Sequence, residues 1–149
     1  MTTQQKIDDF LGHKRLAVIG VSRSPRHFSR VLWRALLERG YDLVPVNPLL
    51  AEVDGRKCYA SVSDVAPAVE GALIMTGAGA AEQVALDCAR AGLRRVWFYR
   101  AGGKGAADDA AVSYCEREGM EVTLGCPLMF LPGAGFPHNV HHWFWRLRH

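Results

Sequence analysis

Short continuous apolar runs alternate along this chain with stretches where apolar residues recur every three to four positions. Leu16–Val21 is the first run. Its length and lack of polar interruption predict a strand buried on both faces, as in parallel sheets. Tyr41–Val46 predicts a second strand, stopped by Asn47-Pro48. Ala72–Thr76, Arg95–Tyr99 and Glu121–Leu124 predict the third, fourth and fifth. Between them lie helical patterns. Val31, Leu32, Ala35 and Leu36 share one helix face, and that helix ends at Gly40. The alanine-rich segment Ala80–Ala91 predicts a helix closed by Gly92, and Ala106–Glu118 one closed by Gly119. Near the amino end, Gln4–Leu11 reads as a short amphipathic helix with Ile7, Phe10 and Leu11 on one side. Asp54-Gly55 centres a turn, and the segment Ser61–Val65 offers a serine cap and a brief helix.

Strands and helices therefore alternate, with crossovers long enough for parallel connections. The expected architecture is α/β: a single doubly wound Rossmann-like domain with a five-stranded, mainly parallel sheet. Its expected divisions are an amino-terminal helix over 1–13, the Rossmann-like domain over 14–127 and an aromatic, histidine-rich tail over 128–149. Pro45 is awkward, because strand two of such a sheet is normally interior and proline donates nothing to a ladder. Its place near the strand end makes it tolerable.

Composition adds bounds. With 149 residues, 49% hydrophobic and 22% charged, the chain suits one ordinary soluble domain. The net charge of +3 is small and its basic residues are scattered, so no nucleic-acid partner is expected. No apolar stretch is long enough to span a membrane, and "MTTQQKIDDF" has no signal-like apolar core. Cys58, Cys88, Cys115 and Cys126 form no CxxC pair; reduced thiols in a cytoplasmic protein are expected.

The chemistry concentrates in "AVIGVSRSPRHFSRVL". In open α/β sheets, ligands bind beyond the carboxyl ends of the strands, near the point where strand order reverses. The loop after strand one enters a helix N-terminus, whose free N–H groups favour an anion. Against the dinucleotide pattern GxGxxG, the three glycine places hold Gly20, Ser22 and Pro25. The acid that should end strand two, to hold a ribose, is Asn47. NAD is thus disfavoured at two independent places. What the loop offers is the hydroxyls of Ser22, Ser24 and Ser29, the guanidiniums of Arg23 and Arg26, and His27. Arginine forks match phosphate oxygens. The plainer reading is that Ser29 caps the helix and the arginines are solvated; the loop's place in the fold favours a ligand.

"VIGVSRSPRHFSRVLWRALLERGYDLVPVNP", "EVDGRKCYASVSDV", "GLRRVWFYRAGG" and "GMEVTLGCP" together resemble the small stand-alone CoA-binding proteins. Their Rossmann-like domain also serves as the CoA-binding domain of succinyl-CoA synthetase α chains and of acyl-CoA synthetases. The resemblance covers about Lys14 to Pro127. It implies coenzyme A, acyl-CoA or a related nucleotide held by the first loop, the end of strand two and the turns after strands three and four. Carried onto this chain, the binding residues are Gly20, Ser22, Arg23, Ser24, Pro25, Arg26, Ser29, Val46, Asn47, Pro48, Thr76, Tyr99, Arg100 and Gly102. It further implies a binding module with no one defined reaction. The chain departs from the usual pattern in "TGAGAAE" after strand three, at Arg100 and at Gly125.

Two other functions compete. One is a small enzyme, either an NAD(P) oxidoreductase or a thiol enzyme using Cys126, which ends the last strand on the ligand side. A reactive thiol there needs cationic neighbours that lower its pKa. The chain shows no Ser-His-Asp order, paired-carboxylate site or P-loop lysine, and "RAGGKGAADDAA" lacks GK[ST]. The other is an interaction subunit with a vestigial site and a working tail. In "FPHNVHHWFWRLRH", His138, His141 and His142 have metal-ligand spacing, but no acid or cysteine completes a set. Docking of Trp143, Phe144, Trp145 and Leu147 on the domain or on a second subunit, as in a homodimer, is the expectation.

Overall fold

The computed structural model describes residues 1–101, 104, 105 and 108–131. Strands β1 (Arg15–Ile19), β2 (Asp42–Val46), β5 (Gly71–Ile74), β6 (Arg95–Ala101) and β8 (Glu121–Gly125) pair in parallel, in the order β2-β1-β5-β6-β8. This is the doubly wound order in which strand sequence reverses beside the first strand. A small antiparallel pair, β3 (Glu52–Val53) and β4 (Arg56–Lys57), closes around the Asp54-Gly55 turn, and β7 (Lys104–Gly105) folds back on the end of β6.

The strands alternate their side chains between two cores, as the period of two requires. Leu16, Val18, Leu43, Leu73 and Trp97 face one side, against Ile7 and Phe10 of α1 (Thr3–Gly12) and Leu32, Trp33 and Leu36 of α2 (Phe28–Leu37). Ala17, Ile19, Val44, Val46, Ile74, Val96 and Phe98 face the other. There they meet α3 (Ala81–Arg90), α4 (Asp109–Arg117) and the single turn Val62–Asp64. Burying both faces is why the strand segments read as unbroken apolar runs. Phe10 stands edge-on to Trp97 with ring centroids 5.3 Å apart, and Trp97 Nε1 donates to the Gly125 carbonyl at 3.0 Å, so the buried indole has its partner.

Local signals account for the ends. Thr2 and Gln5 form a reciprocal capping box at α1. Ser61 accepts from Ser63 N–H, and Asp108 accepts from Ala111 N–H at the start of α4. Helix α4 begins at Asp109, later than the expected Ala106, because Asp108 supplies its cap.

Pro45 finds a resolution that differs from its expected interior setting. Strand β2 is the edge of the parallel sheet. The Gly20 N–H donates to the Val46 carbonyl, so Val46 faces β1, whereas the Pro45 carbonyl accepts from Tyr59 N–H on the outer side at 3.0 Å. In a parallel strand the N and O of one residue point the same way. The missing N–H therefore falls on the outer edge, where no β1 carbonyl waits for it. Among the described residues no helix is long and apolar enough to cross a membrane.

Candidate functional site

The strand order reverses between β1 and β5, and the chain opens a crevice of about 500 Å³ there. Gly20 and Thr76 floor it, Val46, Asn47 and Pro48 form the side at the end of β2, and Gln83 and Asp87 of α3 stand opposite. The size falls within the usual range of small-ligand sites. Gly20 is required by geometry. Its φ is +92°, and a Cβ there would lie 2.8 Å from both Thr76 Cγ2 and the Thr76 backbone nitrogen. This close approach lets the chain turn from β1 into the loop while the crevice stays open. Thr76 Oγ1 is buried in the crevice wall and has no hydrogen-bond partner among the described residues. An orphaned hydroxyl of this kind suits a site that gains its partner from a ligand.

The loop between β1 and α2 is held by its own serines. Ser29 is fully buried, and its hydroxyl accepts from Ser22 N–H at 2.9 Å. The Ser22 hydroxyl accepts from Ser24 N–H at 3.0 Å. Ser29 does not cap α2. His27 does, through Nδ1, 3.1 Å from Ser29 N and 2.8 Å from Ser29 Oγ. Arg34 donates to the Pro25 carbonyl at 3.0 Å. Arg23 and Arg26 are exposed, and their side chains make no hydrogen bond or ion pair among the described residues. Two exposed arginines thus lie in the loop that leads into a ten-residue helix.

Asn47 has a structural task. Its amide Nδ2 donates to the Val21 carbonyl at 2.9 Å, and its Oδ1 accepts from Leu49 N–H at 2.9 Å. It thereby ties the end of β2 to the loop after β1. A side chain so engaged is poorly placed to serve as the paired acceptor a dinucleotide ribose needs.

Tyr99 and Arg100 lie in the last part of β6, toward the same end of the sheet. The Tyr99 ring packs on Phe28, the first residue of α2, at 5.1 Å, so the end of β6 touches the loop's helix. Burial pushes the Tyr99 phenol up, with the nearby Cys126 thiol adding to it. Arg100 pairs with Gly105 in the β6–β7 return. Gly102 and the tail carrying His138, His141, His142, Trp143, Phe144, Trp145 and Leu147 lie outside the described residues. Cys126 sits among the apolar residues on the α1–α2 side, and burial raises its thiol despite backbone N–H contacts from Leu128 and Met129. A nucleophilic cysteine needs the opposite shift.

Of the residues marked in the sequence, the crevice gathers Gly20, Val46, Asn47, Pro48 and Thr76, and the loop gathers Ser22, Arg23, Ser24, Pro25, Arg26 and Ser29 beside it. Sequence reasoning missed Arg30, Asp54, Gln83 and Asp87. Arg30 is buried, donates to the Ser22 and Arg23 carbonyls at 3.3 and 3.2 Å, and pairs with Asp54 at 2.6 Å. Trp33 Nε1 donates to the other Asp54 oxygen at 3.0 Å. The available signal was an arginine three residues before a tryptophan on the inward face of α2. Gln83 and Asp87, one helical turn apart and hydrogen-bonded at 3.0 Å, carried no signal apart from that spacing.

Comparison with known proteins bears on the family and the fold. A family model described as a CoA binding domain matches residues 14–132. The α subunit of acetate–CoA ligase (ADP-forming) II from Pyrococcus furiosus is 31% identical over 97 residues, 64% of this chain and 21% of that protein. The chain therefore corresponds to about a fifth of that relative. The crystal structure of Prb, a protein redesigned for binding, superposes with a TM-score of 0.80 at 26% identity, over 93% of this chain and 97% of the other. The dinucleotide-forming acetyl-coenzyme A synthetase 1 of Candidatus Korarchaeum cryptofilum superposes at 0.67 with 30% identity, over 78% of this chain and 27% of that one. A match running from the start of β1 past the end of β8, on a sheet with its crevice at the β1–β5 reversal, makes this chain a member of the CoA-binding domain family.

Proposed function

We propose that this protein is a non-catalytic module that binds coenzyme A, an acyl-CoA or a related nucleotide, with the phosphates over the loop after β1. The observation that carries this reading is the division of charge. Among the described residues, the crevice is lined by no lysine, arginine or histidine, and its one charged group is Asp87. Arg23 and Arg26, unpaired among the described residues, lie in the loop beside it. A ligand with an uncharged base at one end and phosphates next to it fits this sequence of environments. When bound, the coenzyme supplies an acyl-carrying thiol; the chain's own residues bind and orient it. Gly20 lets the chain pass close to Thr76 and turn into the loop while the crevice stays open, the Thr76 hydroxyl is available as a hydrogen-bond partner, and the loop arginines neutralise charge.

The enzyme readings have less support. Asn47 stands where a dinucleotide site wants an acid, and both ends of its amide are engaged. Cys126 has a raised thiol. Isothermal calorimetry with CoA, acetyl-CoA, NAD and NADP tests the proposal. Binding of the CoA species and not of the dinucleotides is expected. Preference for NAD would overturn it, and silence toward all four would favour a vestigial site.

A further inference from the structure

The cap on α2 fixes the protonation state of a residue in the loop. Ser29 N–H is a donor and nothing else, and it points at His27 Nδ1 from 3.1 Å. Ser29 Oγ already accepts Ser22 N–H and lies 2.8 Å from the same Nδ1. As the acceptor of the Ser29 N–H, Nδ1 bears no proton. The ring is neutral, with its hydrogen on Nε2, on the far side from Ser29 and in an exposed part of the loop. A protonated imidazole donates from both nitrogens. A proton on Nδ1 would set donor against donor at Ser29 N–H, and the helix would lose its cap. The Ser29 hydroxyl would have to turn, and it is the same hydroxyl that anchors Ser22.

We propose that neutral His27 is a positioning residue, a latch that holds the β1–α2 loop in its ligand-receiving shape, and that protonation releases the latch and weakens nucleotide binding. The inference rests on the binding reading above for its second half only. Several charged and titratable groups surround the latch. Arg23 and Arg26 lie in the loop, and Arg30 and Arg34 lie on α2 behind it. Asp54 of the β3–β4 turn is taken up by Arg30 and Trp33. From β6 the neighbour of Phe28 is Tyr99, whose raised phenol is uncharged in the relevant range, as is the raised thiol of Cys126 beyond it. Histidine is the side chain that changes charge between pH 5 and 8.

The test combines ¹⁵N NMR of the His27 ring and of the Ser22 and Ser29 amides with CoA calorimetry from pH 8 to pH 5. Wild type and His27→Asn are compared; asparagine keeps a capping oxygen but does not titrate. The expected ring at pH 8 is the neutral Nε2–H form, and the two amides shift at the midpoint of the ring. Across the range, CoA affinity of the wild type should fall about tenfold more than that of His27→Asn, the scale of one lost cap. The ligand's own phosphate titrates here too, but equally for both proteins, so the difference isolates His27. An Nδ1–H ring, amides indifferent to the ring, or wild-type affinity that tracks the variant or rises in acid would overturn the latch. If neither protein binds CoA at any pH, the binding reading fails, while the ring and amide signals still decide the latch.

Discussion

At Gly20 the backbone has a left-handed φ of +92°, and the space where a side chain would start is filled by Thr76. Gly20→Ala adds conformational strain to a steric clash. It should cost about 2–4 kcal/mol of stability, read as a lower urea midpoint, and abolish CoA binding. A glycine after the first strand was legible in the sequence; its reason was not, because Thr76 lies far along the chain and meets it only through the β1–β5 pairing. Arg26 behaves differently. It is exposed and unpaired among the described residues, so Arg26→Ala should leave the urea midpoint unchanged. It should weaken CoA binding by about 1–3 kcal/mol, the scale of a charge-assisted hydrogen bond, and the loss should shrink as salt rises. Unchanged affinity in calorimetry would place Arg26 outside the site.

Helix α2 was readable from the spacing of Val31, Leu32, Ala35 and Leu36, but its role as a clamp was not. Arg30 joins the helix to the loop through two carbonyls and to the β3–β4 turn through Asp54. Arg30→Ala removes three contacts at once and leaves Asp54 without its cation. Asp54 is 41% exposed, so solvent softens the loss. The expected cost is about 1–3 kcal/mol in chemical denaturation, with reduced CoA affinity as well. This double effect separates Arg30 from Arg26, which should affect binding alone. The Asp54-Gly55 turn itself was legible from the dipeptide. Its partner was not, because a turn signal describes only the local backbone. The short return of β7 on β6 was likewise unreadable: glycine-rich "RAGGKG" has no side-chain alternation to mark a strand.

Across the whole molecule, charge pairs gather at the end of the sheet opposite the crevice. His13 meets Glu70 at 2.8 Å, Arg95 meets Asp9 at 2.9 Å, and Asp42 takes both Arg15 and Arg56. The hydrogen bond from His13, followed by that from the Arg15 N–H, holds the Glu70 carboxyl below its ordinary value. Burial pushes Asp9 up, but the Arg95 hydrogen bond and charge more than offset it, and its carboxyl is also lowered. A carboxylate lowered on folding stabilises the fold above its unfolded pKa, and that contribution is lost as pH falls through the folded value. Acid unfolding should therefore begin as pH drops below about 4.5. Glu70→Gln should flatten the pH dependence of thermal stability there while leaving CoA binding at neutral pH intact. The aromatic tail is the other whole-molecule question. Deleting the residues after Pro137 should lower the melting temperature or turn a dimer into a monomer in light scattering, whereas a chelator should do neither. A chelator that reproduced the deletion would make His138, His141 and His142 ligands. What the sequence by itself determined is which segments become strands and helices, in what alternation, and which loop carries the cationic chemistry. Those follow from local periodicity, caps and turn residues. The tertiary structure alone decided that β2 is an edge, that Thr76 meets Gly20, that Arg30 reaches Asp54 and that Gln83 and Asp87 face the crevice. Parallel strands pair through backbone groups common to every residue, so their order leaves almost no mark on the sequence that adopts it.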